Sequence, residues 1–296
     1  MLETRAGAPD AMIYIARSIA RRGSIAQFCQ SAAEEPHMDR IKTLSSGAIA
    51  WITLAHPAKR NALSEDLVQQ IIDQLSRCDK AGNRVVVLRA APGATVFSAG
   101  HDVSELPEGR RDPLGWDDPL RHLVRAIEQH PAPVVAMIEG GVWGGACEVV
   151  LACDLIVAAD TATFALTPAK LGVPYNVSGM LTFLNAAPYR IVKEMTFTAQ
   201  PIGAKRAEQL GMVNRVVPAA ELDETTRQIA ETIAANAPLA ISVMKEQLRI
   251  LAGAHPMSPQ GFERVQGLRR LVYDSADYRQ GIRAFKEKRK PVFEGR

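Results

Sequence analysis

Apolar runs from residue 38 onward alternate between strand and helix patterns. Residues 48–54 and 85–89 are rich in β-branched side chains, and residues 134–138 and 155–158 are unbroken apolar runs. Unbroken apolar runs of this length are typical of strands that are covered on both faces. The alternation of such strands with helices predicts an α/β fold in which the last two runs are central strands.

The clearest helix pattern lies between the first two predicted strands. Ser64 is a residue type that caps helix N-termini, and Glu65 and Asp66 follow it at the positive end of the helix dipole. One apolar face at helical spacing comprises Leu67, Ile71, Ile72 and Leu75. We expect this helix to pack on the sheet.

After about residue 230 the strand patterns end. Residues 231–235, 239–251, 261–273 and 278–288 have helical patterns separated by Pro or Gly. The sequence contains no internal repeat and no flexible Gly/Ser linker, so we expect these helices to pack against the core or a neighbouring subunit. The chain is therefore divided into a core, residues 38–230, and a helical C-terminal region for packing and oligomerisation, residues 231–296.

The first 37 residues differ in composition from the rest. They mix four arginines with acidic residues around a weakly helical stretch, residues 12–19. A secretory signal has a longer apolar centre, and a transit peptide has fewer acidic residues. The sequence leaves two interpretations open: a disordered extension, or a translation start at Met38.

The composition is that of an ordinary soluble globular protein. Of the 296 residues, 47% are hydrophobic and 23% are charged, which excludes collagen-like, coiled-coil and wholly disordered classes. The most apolar region, residues 134–166, is interrupted by Glu139, Glu148 and Asp154, so no run is long enough to cross a membrane. The net charge of +3 is too small and too dispersed to indicate nucleic acid binding.

The cysteines do not form a metal-binding or disulfide pattern. No two cysteines have the C-x-x-C spacing, and no histidine lies at zinc-finger spacing from any of them. The four cysteines are Cys29, Cys78, Cys147 and Cys153. We expect them to behave as small buried hydrophobic residues. A protein without a metal site, in the reducing cytoplasm, fits this usage best.

Two glycine-containing segments are candidates for chemistry. Residues 97–102, Phe-Ser-Ala-Gly-His-Asp, follow a strand, and small side chains there would let a ligand approach the backbone closely. Residues 139–148 run from a buried strand through a glycine-rich turn into an apolar helix, whose free N–H groups would stabilise an anion. Neither segment has the spacing of a Rossmann, P-loop, serine hydrolase or zinc protease motif. A turn that only permits tight packing is the alternative.

Taken together, these segments resemble the crotonase (enoyl-CoA hydratase/isomerase) superfamily, from about Ile41 to the C-terminus. Residues 57–64, the Cys-Asp-Leu at 153–155 and the Gly-x-x-Ala-Phe-x-Glu-Lys-Arg-x-Pro at 281–291 match further motifs of that family in the expected order. The resemblance implies a spiral of ββα units and a homotrimer or dimer of trimers. It also implies an acyl-CoA substrate whose thioester oxygen is held by the backbone N–H groups of His101 and Gly145.

The same resemblance implies the residues that contact the substrate. Lys59 and Arg60 are expected to meet phosphates, Ala99 to lie beside the adenine, and Phe285 with Lys288 to reach the CoA. The full set of expected substrate-binding residues is Lys59, Arg60, Ala62, Ala99, Asp102, Gly141, Trp143, Pro168, Phe285 and Lys288.

The chain departs from the hydratase pattern at one informative position. Hydratases of this family use two glutamates to hold and activate water, and Glu148 matches the first. Pro168 occupies the position of the second, and its side chain cannot accept or ionise. Hydration by a carboxylate pair is therefore disfavoured. A hydrolase or isomerase that uses a different carboxylate remains an alternative.

Further stretches resemble a branch of the family that decarboxylates methylmalonyl-CoA or malonyl-CoA without biotin or another cofactor, through an enolate. These stretches are residues 98–102, 105–107, 111–114, 117–121, 142–145, 167–176, 262–264, 273–275 and 287–291. Tyr175 and Thr167 are then expected to orient the carboxylate, and Tyr175 or the His101 side chain to supply the proton. Glu148 is expected to be held in an ion pair, with Arg121 as counterion.

Overall fold

The computed structural model describes residues 39–107, 112, 114–253 and 256–295. The N-terminal segment expected to be an extension, residues 1–37, lies outside the described residues. The strands are β1 Ile41–Ser46, β2 Ile49–Leu54, β3 Val85–Ala90, β4 Val96–Ser98, β5 Val134–Ile138, β6 Gly141–Trp143, β7 Leu155–Ala159, β8 Thr163–Ala165, β9 Ile202–Gly203 and β10 Arg215–Val217. The helices are α1 Glu65–Lys80, α2 Pro119–Gln129, α3 Gly145–Leu151, α4 Val177–Ala186, α5 Tyr189–Thr198, α6 Ala204–Gln209, α7 Leu222–Ala235, α8 Pro238–Ala252, α9 Pro259–Tyr273 and α10 Ala276–Lys286.

The strands form two sheets that the chain visits in turn. The larger sheet has the order β1-β2-β3-β5-β7-β10, and the smaller has the order β4-β6-β8-β9. All pairs are parallel except β1 with β2 and β8 with β9. Three times, a strand of the large sheet is followed by a strand of the small sheet and then by helix: β3-β4-α2, β5-β6-α3 and β7-β8-α4. This repetition is the predicted spiral of ββα units, and the α/β fold is confirmed.

The inner strands of the large sheet are buried on both faces, which explains the unbroken apolar runs. Alternate residues of β3 point to opposite sides: Val86 and Leu88 join the core beneath α1 and α2, whereas Val85 and Val87 join a second core beneath α7. The four strands predicted from the sequence appear as β2, β3, β5 and β7, and all four lie inside the sheet.

The helix predicted after Ser64 is confirmed, and its cap forms as expected. The Ser64 hydroxyl accepts a hydrogen bond from the Leu67 N–H at 3.3 Å. Among the described residues, no helix is long and apolar enough to span a membrane.

One helix boundary was wrong. The sequence pattern placed a helix over residues 231–235, but α7 begins at Leu222. The buried positions of α7 include Thr226, whose hydroxyl donates to the Leu222 carbonyl, so the polar side chain is satisfied inside the helix. This polar residue on the buried face obscured the apolar periodicity. The other three C-terminal helices agree with the predicted ranges to within two residues.

The terminal helix α10 packs against the short 3-10 turn Pro168–Leu171. A Cβ added at Gly281 would lie 2.2 Å from the Leu171 carbonyl oxygen, so only glycine permits this approach. Tyr278 and Ile282 of α10 share a small apolar core with Val173. This packing brings the C-terminal end of α10 beside the candidate site.

Candidate active site

A cavity of about 880 Å³ opens beside the C-terminal end of α10. All of the site residues expected from the sequence line it, with the exception of Gly141. The set comprises Lys59, Arg60, Ala62, Ala99, His101, Asp102, Trp143, Gly145, Glu148, Thr167, Pro168, Tyr175, Phe285 and Lys288. Its mixture of apolar walls with a few polar groups is typical of a small-molecule site.

Gly141 does not line the cavity. It is the first residue of β6, and a Cβ there would lie 2.6 Å from the Trp143 indole nitrogen. The missing side chain therefore makes room for the Trp143 ring, which does line the cavity.

Two backbone N–H groups, those of His101 and Gly145, belong to residues that line the cavity. The part of the lining formed by His101, Gly145 and Glu148 is called the inner wall. His101 forms an isolated bridge with Leu63, and the two hydrogen bonds of this bridge use the Gly100 carbonyl and the Asp102 N–H. The His101 N–H is thus not used by the bridge. Gly145 is the first residue of α3, where an N–H has no acceptor within the helix.

Gly100 allows the two segments that carry these groups to touch. Its φ is +86°, and an added Cβ would lie 2.9 Å from the Gly145 nitrogen and 2.4 Å from the Trp143 carbonyl oxygen. A Cβ on Gly145 would in turn lie 3.5 Å from the His101 nitrogen. The two N–H groups therefore sit close together in the cavity, as an oxyanion hole requires.

The loop that carries Lys59 and Arg60 is fixed by a buried side chain. Asn61 donates to the Phe97 carbonyl at 2.9 Å and accepts from the His56 N–H at 2.9 Å.

Lys59 forms an ion pair with Asp102, in which the Lys59 Nζ lies 3.0 Å from the Asp102 Oδ2. Burial alone would raise the pKa of Asp102, but hydrogen bonds from Ser104 and Lys59 outweigh it and lower this pKa. Asp102 thus holds Lys59 at the cavity.

The His101 ring is held between two oxygen acceptors. Its Nε2 lies 3.0 Å from Asp118 Oδ2, and its Nδ1 lies 3.2 Å from the Asp102 carbonyl oxygen. Burial alone would lower the pKa of His101. The hydrogen bond and negative charge of Asp118, with smaller contributions from Asp102 and Glu105, outweigh burial and raise this pKa. The ring is therefore biased toward the cationic form.

Glu148 forms the ion pair that the sequence suggested. It lies on α3 and is 1% exposed, and the Arg121 guanidinium donates to its carboxylate. Burial raises the pKa of Glu148, and Arg121 opposes that rise. A carboxylate committed to this buried pair is poorly placed to act as a free base.

Tyr175 and Thr167 both line the cavity. The Tyr175 hydroxyl oxygen is buried and has no hydrogen-bond partner among the described residues. The Tyr175 ring packs edge to face on Phe183 with centroids 4.7 Å apart. Burial raises the pKa of Tyr175 well above its usual range, so its hydroxyl stays protonated. Thr167 precedes the 3-10 turn without capping it, and its Oγ1 lies 3.0 Å from where a Gly144 Cβ would be.

Several lining residues were missed by the sequence reasoning. Leu114, Leu120 and Val173 form apolar wall, and although they lie in stretches that carry the family resemblance, an apolar residue type alone does not distinguish a cavity wall from the core. Asp118 was not assigned a role. It is the N-cap of α2, with its carboxylate accepting from the Leu120 N–H at 2.9 Å, and the Asp-Pro pair at a helix start could have revealed that cap.

Comparisons with known proteins identify the family of the chain. The profile of the enoyl-CoA hydratase/isomerase family matches residues 45–296, so the chain belongs to that family. Within it, the chain is 49% identical over 255 residues to methylmalonyl-CoA decarboxylase of Escherichia coli (strain K12), covering 86% of this chain and 98% of that protein. It is 35% identical over 267 residues to carnitinyl-CoA dehydratase of Escherichia coli O157:H7, covering 89% of this chain and 100% of that protein.

A solved structure shows the same relationship. The structure of methylmalonyl-CoA decarboxylase complexed with 2S-carboxypropyl-CoA matches with a TM-score of 0.86 and 48% identity, covering 88% of this chain and 99% of that chain. The family inferred from the sequence motifs is thus confirmed.

Proposed function

We propose that this protein decarboxylates methylmalonyl-CoA, malonyl-CoA or both, giving propionyl-CoA or acetyl-CoA and CO₂. The bond between the α-carbon and the carboxylate breaks, and its electron pair becomes the thioester enolate. A proton then adds to the α-carbon. The identity to a methylmalonyl-CoA decarboxylase over most of both chains supports this activity.

The observation that carries the proposal is the unpartnered Tyr175 hydroxyl. Buried polar groups in folded proteins nearly always have a partner, so a hydroxyl without one among the described residues, on a side chain that lines the cavity, is a candidate donor to a bound ligand. As a protonated donor, it suits an anionic acceptor such as the substrate carboxylate. We assign carboxylate orientation to Tyr175 and Thr167, and Tyr175 is the candidate proton source.

The two backbone donors supply the electrostatic part of the reaction. The enolate oxygen gains negative charge as CO₂ leaves, and the N–H groups of His101 and Gly145 are arranged to stabilise it. Removing one donor of an oxyanion hole typically costs about 10²–10³-fold in rate. Loss of CO₂ itself generates the carbanion, so no base, metal or redox cofactor is needed, and CoA enters only as part of the substrate.

We further propose a homotrimer or dimer of trimers in the cytoplasm. Helix α8 has no buried residue and exposes Leu239, Leu248 and Leu251, which supports a subunit interface on this face. The described cysteines, Cys78, Cys147 and Cys153, are free buried thiols, which suits a reducing compartment. Light scattering of the purified protein measures the assembly directly.

A product assay tests the function. Purified protein is incubated separately with methylmalonyl-CoA, malonyl-CoA and crotonyl-CoA, and products are identified by mass. We expect loss of CO₂ from one or both of the first two. Turnover of crotonyl-CoA at a comparable rate would instead indicate a hydratase.

The role of Tyr175 is tested by Tyr175→Phe, which keeps the ring and removes the orienting donor. We expect turnover to fall while CoA binding persists. Tyr189→Phe is the matched control, because Tyr189 is 62% exposed and lies outside the cavity lining. Full turnover of Tyr175→Phe with unchanged substrate affinity would move the orienting role to Thr167 or His101.

A further inference from the structure

Two buried ion pairs each place one residue, His101 or Glu148, in the lining of the cavity. His101 pairs with Asp118, and Arg121 pairs with Glu148. Their side chains are only 15%, 6%, 7% and 1% exposed, respectively. Both counter-charges, Asp118 and Arg121, belong to the first turn of α2 or its cap. One helix start therefore sets the charge on both partners at the inner wall.

The geometry of the His101 ring requires both of its nitrogens to donate. A carbonyl oxygen only accepts, so the contact from Nδ1 to the Asp102 carbonyl needs a proton on Nδ1. The contact from Nε2 to the Asp118 carboxylate needs a proton on Nε2 in the same way. Both contacts are satisfied together only by the imidazolium. Both N–H groups are then committed to these two acceptors, so His101 acts here by its charge.

The charge of His101 decides the net charge of the two ion pairs. With His101 cationic, the two pairs sum to zero; with His101 neutral, they sum to one negative charge. Other charged groups around His101 are more exposed or already paired. Glu105 is exposed, and the Asp102 carboxylate is paired with Lys59. The basic residues that line the cavity elsewhere, Lys59, Arg60, Lys170 and Lys288, are all exposed, so solvent screens them.

We propose that Asp118 is a positioning residue that keeps His101 in its imidazolium form, and that this cation lets the inner cavity accept the carboxylate of a malonyl-type acyl group. This inference rests on the proposed function for its substrate. Its physical basis is that a net negative wall of low dielectric repels an entering carboxylate, whereas a neutral one does not. An acyl group without a carboxylate is not subject to this effect.

The test compares two CoA thioethers that differ only in the carboxylate. Dissociation constants of 2-carboxypropyl-CoA and propyl-CoA are measured by calorimetry from pH 6 to pH 9. At each pH the propyl-CoA constant is divided by the 2-carboxypropyl-CoA constant, and this ratio is the preference for the carboxylated ligand. The CoA phosphates titrate alike in both ligands and cancel in the ratio. Because the surroundings raise the pKa of His101, the cation is retained above the ordinary value of about 6.5 and is lost as the pH rises through the raised pKa. We expect the preference for the carboxylated ligand to fall by about tenfold or more across that range.

Two variants separate charge from structure. His101→Asn keeps the backbone N–H but has no titratable ring, so the preference of this variant for the carboxylated ligand should be low and independent of pH. Asp118→Asn retains a good helix N-cap but removes the anion that holds the proton on His101. In this variant the midpoint of the transition should move down by about one pH unit or more. Melting curves of both variants verify folding.

A wild-type ratio that does not change with pH, or an unmoved midpoint in Asp118→Asn, would overturn the inference. Decarboxylation of methylmalonyl-CoA is measured in the same preparations. If that activity is present and the ratio is flat, the inference fails and the proposed function stands. If the ratio titrates as expected and no CO₂ is released, the charge effect stands and the proposed function fails.

Discussion

The contact between the terminal helix and the 168–171 turn makes Gly281→Ala a sharp test of how the site is built. The new Cβ would lie 2.2 Å from the Leu171 carbonyl oxygen and 2.5 Å from the Leu171 carbonyl carbon. These atoms belong to the backbone, so no side chain can rotate away. Restoring ordinary contact distances requires the helix and the turn to separate by about 1 Å.

The expected stability change follows from two opposing effects. Replacing glycine by alanine inside a helix ordinarily stabilises by about 1 kcal/mol. Overpacking against a fixed backbone costs about 1–3 kcal/mol, so we expect net destabilisation of up to about 2 kcal/mol. For a domain of this size, each kcal/mol lowers the melting temperature by about 2–4 °C.

The functional effect should exceed the stability effect. Phe285 lies one helical turn after Gly281, and Pro168 and Leu171 form part of the facing wall, so a shift moves both sides of the cavity. Misplacement by about 1 Å can cost as much as 10²-fold in rate. We expect weaker binding of CoA by calorimetry and a lower kcat/KM.

Gly267→Ala is the matched control for this substitution. Gly267 lies within α9, and among the described residues no atom lies within 4 Å of a Cβ placed there. We expect it to leave activity unchanged and to raise stability slightly. If Gly281→Ala melts, binds CoA and turns over like Gly267→Ala, the contact with Leu171 does not position the site and the reasoning is refuted.

Three further outcomes are expected. Gly145→Pro deletes a backbone donor at a helix start, where proline is otherwise tolerated, and should reduce turnover by about 10²-fold or more without unfolding the protein; steady-state kinetics with a melting curve checks this. Hydration of crotonyl-CoA should be negligible because Pro168 replaces the second glutamate, and ultraviolet absorbance of the enoyl thioester would reveal any activity. Arg121→Met should lower the free energy of unfolding in urea by about 3–5 kcal/mol at pH 7, because it leaves the Glu148 carboxylate buried without its partner. That loss should shrink as the pH falls, since protonation neutralises Glu148; a loss independent of pH would contradict the explanation.

The sequence by itself determined the four inner strands of the large sheet and the helix α1, because their signals are local. Strands β3, β5 and β7 are covered on both faces, and apolar residues occupy every position in them except Arg89. The Ser64 hydroxyl caps α1 by accepting from the Leu67 N–H, which is only three residues away. Its role can therefore be predicted without tertiary contacts. The glycine-rich segments were also recognisable, since their spacing and order along the chain carry the family resemblance.

Only the tertiary structure decided how the charges and walls of the cavity are arranged. The start of α7 was missed because Thr226 is buried with its hydroxyl bonded inside the helix, which no hydropathy pattern reports. His101 and Asp118 meet across 17 positions of the chain. Among the residues that the structure describes, the packing around the Tyr175 hydroxyl supplies no hydrogen-bond partner. The physical reason is that residue type and local spacing fix what a segment buries, whereas the charge and the free donors of a cavity depend on which distant segments face one another across it.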